Sequence, residues 1–267
     1  MRGTLRPVFL GLLAGVAAVA YLLPYFSLPG TWWRAIPSTA LILVLAGLVF
    51  GKQAIAFLGL RLTPRASLMT LVVFVVAAFA SNEAIGAIVA AGPLSASSHR
   101  SLFSGVHQFF QVLNDEMILR AAVLTLVLRV WPYPKSIALG CALLFSVAHH
   151  VVYRLHGVHI EAEALLTLFS FGVLANLLFL RFGHIGYGWA LHYGWNLMRF
   201  GSVYAVDGRY LSEGMSFNYL EGNAWLATAS TCAAVAAFVA YTKRPPSSSI
   251  GRLVLGHAPQ HNHTREQ

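Results

Sequence analysis

Apolar runs long enough to cross a lipid bilayer recur along almost the whole of this 267-residue chain. A hydrocarbon core of about 30 Å needs roughly 20 apolar residues per helix, so the chain has room for about eight passes. Only 10% of its residues are charged, whereas soluble domains average about 25%. The composition therefore excludes a soluble enzyme, a nucleic-acid-binding module, a fibrous protein and a disordered chain. We expect an all-α, polytopic membrane helix bundle.

Eight membrane-spanning helices are predicted from these apolar runs. They fall at about 8–26, 38–58, 67–91, 105–128, 134–153, 162–181, 184–205 and 222–242. Residues 1–242 are expected to form a single membrane domain, and the polar residues 243–267 are expected to form a disordered tail. The first run also has the features of a signal-peptide core, so cleavage after it is an alternative.

The basic residues predict how these helices are oriented. With the N-terminus inside the cell, twelve of the 18 lysines and arginines fall at inner ends or inner loops and four fall at outer ones. Cytoplasmic loops carry such an excess of basic residues, so both termini are predicted to be cytoplasmic. We expect the chain in a bacterial inner membrane, with the bilayer as its surroundings and no nucleic acid as a partner.

Three ionisable residues interrupt the fourth predicted span: Asp115, Glu116 and Arg120. Each costs about 3 kcal/mol at a helix centre, about 9 in total, and the apolar residues around them return only roughly 5 to 6 kcal/mol. The helix should therefore face the bundle interior or a hydrated cavity. Glu116 and Arg120 are four residues apart on one helical face, whereas Asp115 points about 100° away. One carboxylate can thus pair with Arg120 while the other faces a cavity, although a purely structural charge cluster would give the same pattern.

Two other predicted spans carry polar residues that match this cluster. The fifth contains Phe145 followed by His149, and the seventh places His192 and Asn196 one helical turn apart. A single histidine or asparagine within a membrane is usually a packing or hydrogen-bonding residue. A carboxylate, a histidine and a His/Asn pair from three helices are also what the attack of water on an amide requires. Such a reaction needs a base to take the proton and fixed donors to stabilise the oxyanion.

These ordered motifs resemble the CPBP family of intramembrane endopeptidases, which comprises CAAX proteases and bacteriocin-processing enzymes and is also called the Abi family. The resemblance covers about residues 105–205. The family pattern of EExxxR, FxxxH and HxxxN corresponds here to Asp115-Glu116-x-x-x-Arg120, Phe145-x-x-x-His149 and His192-x-x-x-Asn196. The chain departs from the pattern at Asp115, where the family usually has glutamate. The aspartate carboxylate lies one methylene closer to the backbone, and a misplacement of about 1 Å can cost on the order of 10²-fold in rate.

The resemblance implies a hydrolase that cleaves a membrane-associated or lipidated protein or peptide, as in the processing of CAAX-box proteins. It implies that Asp115 and His149 activate water and that His192 and Asn196 hold the oxyanion. It gives Glu116 a supporting role with Arg120, and Phe145 belongs to the second motif. The aspartate leaves three outcomes open: the site has adjusted to it, Glu116 has replaced it, or the chain is a weakened relative.

A metal ion is a further question that the motifs raise. Two histidines and a carboxylate would satisfy a catalytic zinc with one open position. The ligands would then be Asp115 or Glu116 together with His149 and His192. The resemblance favours a mechanism without a metal, and the chain contains no HExxH motif. We therefore expect no cofactor, with zinc as the alternative.

Two other functions fit parts of the same pattern. A catalytically inactive relative could act as a membrane scaffold or an immunity-type protein, which the departure at Asp115 would explain. A proton-coupled transporter would also use buried acids and histidines. Two further expectations concern packing. Glu83 in the third span is predicted to line a cavity, to pair with Arg199 or to contact a substrate. Gly183, Gly186, Gly188 and Gly194 are predicted to let helices approach closely around the seventh span.

Overall fold

The computed structural model describes residues 35–61, 63–98, 102–130, 133–155 and 157–243, which are mostly helical. We number the helices and strands in chain order. They are α1 (Ala35–Phe50), α2 (Ala54–Phe57), α3 (Pro64–Ala91), β1 (Leu94–Ser98), α4 (Leu102–Glu116), a π-helical segment (Met117–Leu124), α5 (Thr125–Val130), α6 (Pro134–Leu155), α7 (Ala162–Phe182), α8 (Gly186–Arg199), β2 (Ser202–Val206), β3 (Arg209–Tyr210), α9 (Glu213–Leu220) and α10 (Ala224–Lys243).

Four of these helices, α3, α6, α7 and α10, are long and apolar enough to cross a membrane. They lie at four of the predicted spans, those at 67–91, 134–153, 162–181 and 222–242. The apolar stretch of α7 is 61% buried, against 17–33% in the other three helices. Helix α7 is therefore the central helix of the bundle, and α6 and α10 pack on it.

The other predicted spans differ from the observed elements. The span predicted at 184–205 is too long, because α8 ends at Arg199 and residues 202–206 form a strand. The span predicted at 38–58 is interrupted after Phe50 by a 3₁₀ turn at Gly51–Gln53, and the span at 105–128 contains the π-helical segment. The span predicted at 8–26 and the tail at 244–267 lie outside the described residues. The total of eight spans therefore stays a prediction.

A small antiparallel sheet, which the sequence did not predict, joins two connections of the bundle. Strand β1 pairs with β2 from Leu94 opposite Val206 to Ser98 opposite Ser202. Strands β2 and β3 form a hairpin whose two turn residues, Asp207 and Gly208, have φ angles of 50° and 73°. Tight hairpin turns of this kind require positive φ at both central positions, which explains the Asp-Gly pair.

Helices α3 and α8 pack closely because a glycine lies at their contact. A Cβ atom on Gly194 would lie 2.9 Å from both the Cβ of Ala77 and the backbone nitrogen of Ala78. Small residues allow this close approach of two backbones within a membrane bundle. Helix α8 also contacts α4 and α7, and the π-helical segment contacts α6 and α7. The three motif-bearing parts of the chain are therefore neighbours around α7.

Candidate active site

Glu116, the last residue of α4, lies at the centre of a buried polar cluster. Its side chain is fully buried, and its Oε1 atom is 3.2 Å from Nη1 of Arg120 and 3.3 Å from Nδ1 of His192. A carboxylate inside a protein needs such partners because its desolvation is costly. The structure thus brings the acid of the first motif into contact with the histidine of the third.

Gly188 makes room for this carboxylate. It lies one turn before His192 on α8, and a Cβ atom at Gly188 would be 2.5 Å from Oε2 of Glu116. Any larger residue at this position would displace the carboxylate or separate α8 from α4. Gly188 therefore permits a close approach, as predicted, and the group that approaches it is the Glu116 side chain.

Phe145 on α6 packs against residues of all three motifs. The Arg120 guanidinium carbon lies 4.8 Å from the centre of its ring, a distance typical of a cation–π contact. The ring centroid is 4.3 Å from that of His149 and 5.9 Å from that of His192. Phe171 on α7 completes the aromatic wall, with its ring 5.0 Å from that of His192. No sequence motif pointed to Phe171, because α7 carries none of the three motifs.

His149 is held by its own helix in a defined tautomer. Its Nδ1 atom lies 2.9 Å from the backbone oxygen of Phe145, one turn earlier. A carbonyl oxygen only accepts hydrogen bonds, so Nδ1 must carry the hydrogen. The Nε2 atom of the neutral ring is then an acceptor. A histidine in this state can take a proton from water.

Asn196 is linked to α4 by its side-chain amide. Its Nδ2 atom donates a hydrogen bond to Oε1 of Gln108, at a distance of 3.0 Å. The Gln108 side chain is buried, with 6% of its surface exposed. Gln108 was not predicted as a site residue, although it lies seven residues before Asp115 and therefore on the same helical face, two turns away.

Asp115 is also buried, with 3% of its surface exposed. It precedes Glu116 in α4, so its side chain points about 100° around the helix from that of Glu116. The acid in contact with Arg120 and His192 is Glu116, the second of the two. The structure thus joins five predicted site residues through direct contacts. They are Glu116, Arg120, Phe145, His149 and His192.

The arrangement does not fit the alternative zinc site. In the part of the chain that the structure describes, no three His, Cys, Asp or Glu side chains converge as metal ligands would. The oxygen of Glu116 nearest to His192 is also within 3.2 Å of the positively charged Arg120. A cation at the same oxygen would be repelled by this guanidinium.

A second buried ion pair, which was not predicted, lies further along α8. The Nε atom of Arg199 is 2.8 Å from Oε1 of Glu221, which also accepts a hydrogen bond of 3.0 Å from the indole nitrogen of Trp195. The expected pairing of Arg199 with Glu83 is wrong, because Glu83 is exposed and its Oε1 accepts from Asn82. Glu221 lies between the predicted spans 184–205 and 222–242, a position that gave no indication of a buried partner.

Comparison with known proteins identifies the region that holds the cluster. A protein-family model described as type II CAAX prenyl endopeptidase Rce1-like matches residues 97–198. All seven predicted site residues lie inside this match: Asp115, Glu116, Arg120, Phe145, His149, His192 and Asn196. No curated protein and no solved structure gives a significant match. Its apolar helices make the chain an integral membrane protein. The match over residues 97–198 confirms the resemblance to the CAAX protease family.

Proposed function

We propose that this protein is an intramembrane endopeptidase that hydrolyses a peptide bond in a membrane-associated or lipidated protein or peptide. The observation that carries the proposal is the contact between Glu116 and His192, two residues 76 positions apart in the chain. This contact lies beside His149, across the ring of Phe145. A buried carboxylate and two histidines from separate helices supply both the base and the donors that amide hydrolysis needs.

In the proposed mechanism, Asp115 and His149 activate the attacking water. Glu116 is not the first choice as the base, because its charge is already balanced by Arg120 and stabilises His192. The Nε2 atom of His149 or the Asp115 carboxylate takes a proton from water, and the oxygen attacks the carbonyl carbon. The same proton then passes to the leaving amine as the C–N bond breaks.

His192 and Asn196 are proposed to stabilise the negative charge that develops on the carbonyl oxygen. A doubly protonated His192 would donate Nδ1–H to Glu116 and Nε2–H to the oxyanion. With His192 in this form, the charges of Asp115, Glu116, Arg120 and His192 sum to zero. A neutral cluster is the least costly arrangement of ionisable groups inside a membrane bundle.

The family description makes a prenylated C-terminal peptide the first substrate to test. A bacteriocin leader and a C-terminal sorting signal are two further substrate classes that suit a pocket within the membrane. The location in a bacterial inner membrane and the cytoplasmic position of both termini stay predictions, based on the distribution of basic residues.

A matched pair of histidine substitutions tests the proposal. We expect His149→Ala to lower the rate of cleavage of a fluorogenic farnesylated peptide by about 10²- to 10⁴-fold, the usual contribution of a general base. His150, the next residue, is equally half-buried, so His150→Ala is the control and should cleave close to the wild-type rate. Purified protein in liposomes and thermal unfolding would be measured for both variants.

Equal cleavage by His149→Ala and the wild type would overturn the proposed mechanism. Asp115→Asn distinguishes the roles of the two acids. It should inactivate the enzyme if Asp115 retains the role that the family assigns to the first acid. An active Asp115→Asn variant would indicate that Glu116 has this role instead. Failure of the folded wild type to cleave any of the three substrate classes would overturn the proposed function.

Two alternative functions are kept as predictions. A scaffold or immunity-type protein, which the substitution of aspartate for glutamate favours, predicts that His149→Ala leaves the cellular function intact. A proton-coupled transporter predicts solute uptake that depends on a proton gradient across the membrane. Neither would show the difference between His149→Ala and His150→Ala in peptide cleavage.

A further inference from the structure

Three hydrogen bonds connect α8 to α4 along one edge of the candidate site. The indole nitrogen of Trp189 donates to the backbone oxygen of Phe109, at 3.3 Å. The hydroxyl of Tyr193 donates to the backbone oxygen of Gly105, at 3.2 Å. The third bond, from Asn196 to Gln108, is the only one of these three whose acceptor is a side chain.

The third bond controls the direction of the Asn196 amide. A side-chain amide is planar and has two N–H donors and one oxygen. When one N–H is held by Gln108, the position of the other N–H is fixed as well. While the Gln108 oxygen faces Asn196, as it does here, a rotation of the Asn196 amide by half a turn would place its oxygen against the Gln108 oxygen, which is unfavourable. It would also present an oxygen, rather than a donor, to the substrate.

We infer that Gln108 is a positioning residue for the oxyanion site, acting through Asn196. This inference rests on the proposed function, because it requires Asn196 to donate to the oxyanion. Donors aimed in advance at the developing charge stabilise the transition state without reorganisation. Gln108 lies on the helix that also carries Asp115 and Glu116. Helix α4 therefore positions both the acids and, through Gln108, the oxyanion donor Asn196.

The other two bonds make the inference testable. Trp189 and Tyr193 bind the α4 backbone on either side of Gln108. Replacing Gln108 therefore leaves the α4–α8 contact in place and releases only the amide of Asn196. Methionine has a similar length and lacks the acceptor oxygen, whereas glutamate retains it.

We expect Gln108→Met to lower kcat for the farnesylated peptide about tenfold with little change in KM, because the affected interaction forms only in the transition state. Gln108→Glu should recover most of the activity. Asn196→Ala should cost about 10²- to 10³-fold, the usual effect of removing one oxyanion donor. Adding Gln108→Met to Asn196→Ala should cause no further loss, since coupled residues are not additive.

Tyr193→Phe is the matched control, because it removes a neighbouring α4–α8 hydrogen bond without touching the amide. It should leave kcat unchanged. The inference is overturned if Gln108→Met has wild-type kcat, if its loss adds to that of Asn196→Ala, or if Tyr193→Phe lowers kcat equally. An unaffected Asn196→Ala combined with an inactive His149→Ala would overturn the inference and leave the proposed function standing. A folded wild type that cleaves no substrate overturns both.

Discussion

Two buried glutamates, Glu116 and Glu221, contact side chains of helix α8 and have similar burial but different partners. His192, the partner of Glu116, and Arg199, the partner of Glu221, are seven residues apart and so lie on one helical face. Both acids are almost fully buried. Glu221 is bound by Arg199 and Trp195, whose side chains only donate and do not release a proton near neutral pH. Glu116 contacts His192, and an imidazole, unlike a guanidinium or an indole, has one nitrogen that donates and one that accepts in its neutral form.

The residues around the two glutamates also differ in whether they offer a proton acceptor. Glu221 also accepts, through its backbone oxygen, a hydrogen bond of 2.7 Å from the hydroxyl of Thr167 on α7. Its contacts therefore tie the start of α10 to α7 and α8. The Glu116 pair instead lies beside a second histidine with an available acceptor nitrogen. Burial of charge in a membrane bundle thus indicates only that partners are needed, whereas the capacity to exchange protons distinguishes a candidate active site.

The largest expected effect comes from neutralising each acid in turn. Glu221→Gln leaves Arg199 buried without its carboxylate and should cost about 3 to 5 kcal/mol of stability. Its cleavage rate per folded molecule should stay near that of the wild type. Glu116→Gln should cost similar stability, because Arg120 loses its partner, and should also abolish cleavage. Denaturant unfolding in micelles and peptide cleavage measure the two effects, and equal activity loss in both variants would contradict the distinction.

A methyl group at Gly188 should have the next largest effect. Gly188→Ala pushes on Oε2 of Glu116 from 2.5 Å, and displacing a group by about 1 Å can cost on the order of 10²-fold in kcat. Gly194→Ala is the matched variant, because its methyl group meets Ala77 and the Ala78 backbone instead. It should cost about 1 to 3 kcal/mol of stability through overpacking. A smaller loss of kcat in Gly188→Ala than in Gly194→Ala would argue against this role.

Removing one ring beside each arginine should have a smaller effect. Phe145 and Phe217 both lie near a buried guanidinium, at 4.8 Å from Arg120 and 5.2 Å from Arg199. Phe145→Leu should lower kcat by roughly one order of magnitude, since its ring also packs on His149 and a small displacement there is costly. Phe217→Leu should lower only the unfolding temperature. Kinetics and thermal unfolding of the two variants, compared side by side, would reveal any catalytic loss in Phe217→Leu.

The smallest expected effect is a pH dependence of stability, and it involves His184, a residue outside the two buried acid clusters. Burial lowers the pKa of His184 from its ordinary value of 6.5, and its Nδ1 accepts a hydrogen bond of 2.9 Å from the Gly186 amide. The folded state therefore prefers the neutral ring, so the stability present above pH 6.5 should decrease as the pH falls below it. The unfolding temperature should show this dependence in the wild type and less of it in His184→Gln. An identical pH dependence in both would contradict it.

The helical membrane class and the three motifs were predictable from the sequence because both depend on local patterns. Apolar runs set the span lengths, and Glu116 and Arg120 are neighbours on a helix through their spacing alone. The same spacing left open which acid meets the histidine on α8. That choice depends on how α8 packs, and therefore on Gly188, whose role no local pattern expresses.

Other features were not predictable because they depend on contacts distant in the chain. Glu221 lies between two predicted spans, and its burial depends on its contacts with Arg199 and Trp195. The segment Leu94–Ser98, with sequence Leu-Ser-Ala-Ser-Ser, has few residues typical of strands, and its strand exists through pairing with β2. The π-helical segment after Glu116 has no periodic signature in the sequence, although such segments often occur at functional sites.

The antiparallel ladder between β1 and β2 has a mechanical consequence. Strand β1 leads into α4 and β2 follows α8, so five paired positions fasten the beginning of one helix to the end of the other. Together with the hydrogen bonds along their length, these paired positions hold α4 and α8 against each other. Separating the two helices at that end would require breaking the hydrogen bonds between β1 and β2. On the proposed function, we expect a polypeptide to reach the Glu116 cluster by displacing other helices, while this pair keeps its geometry.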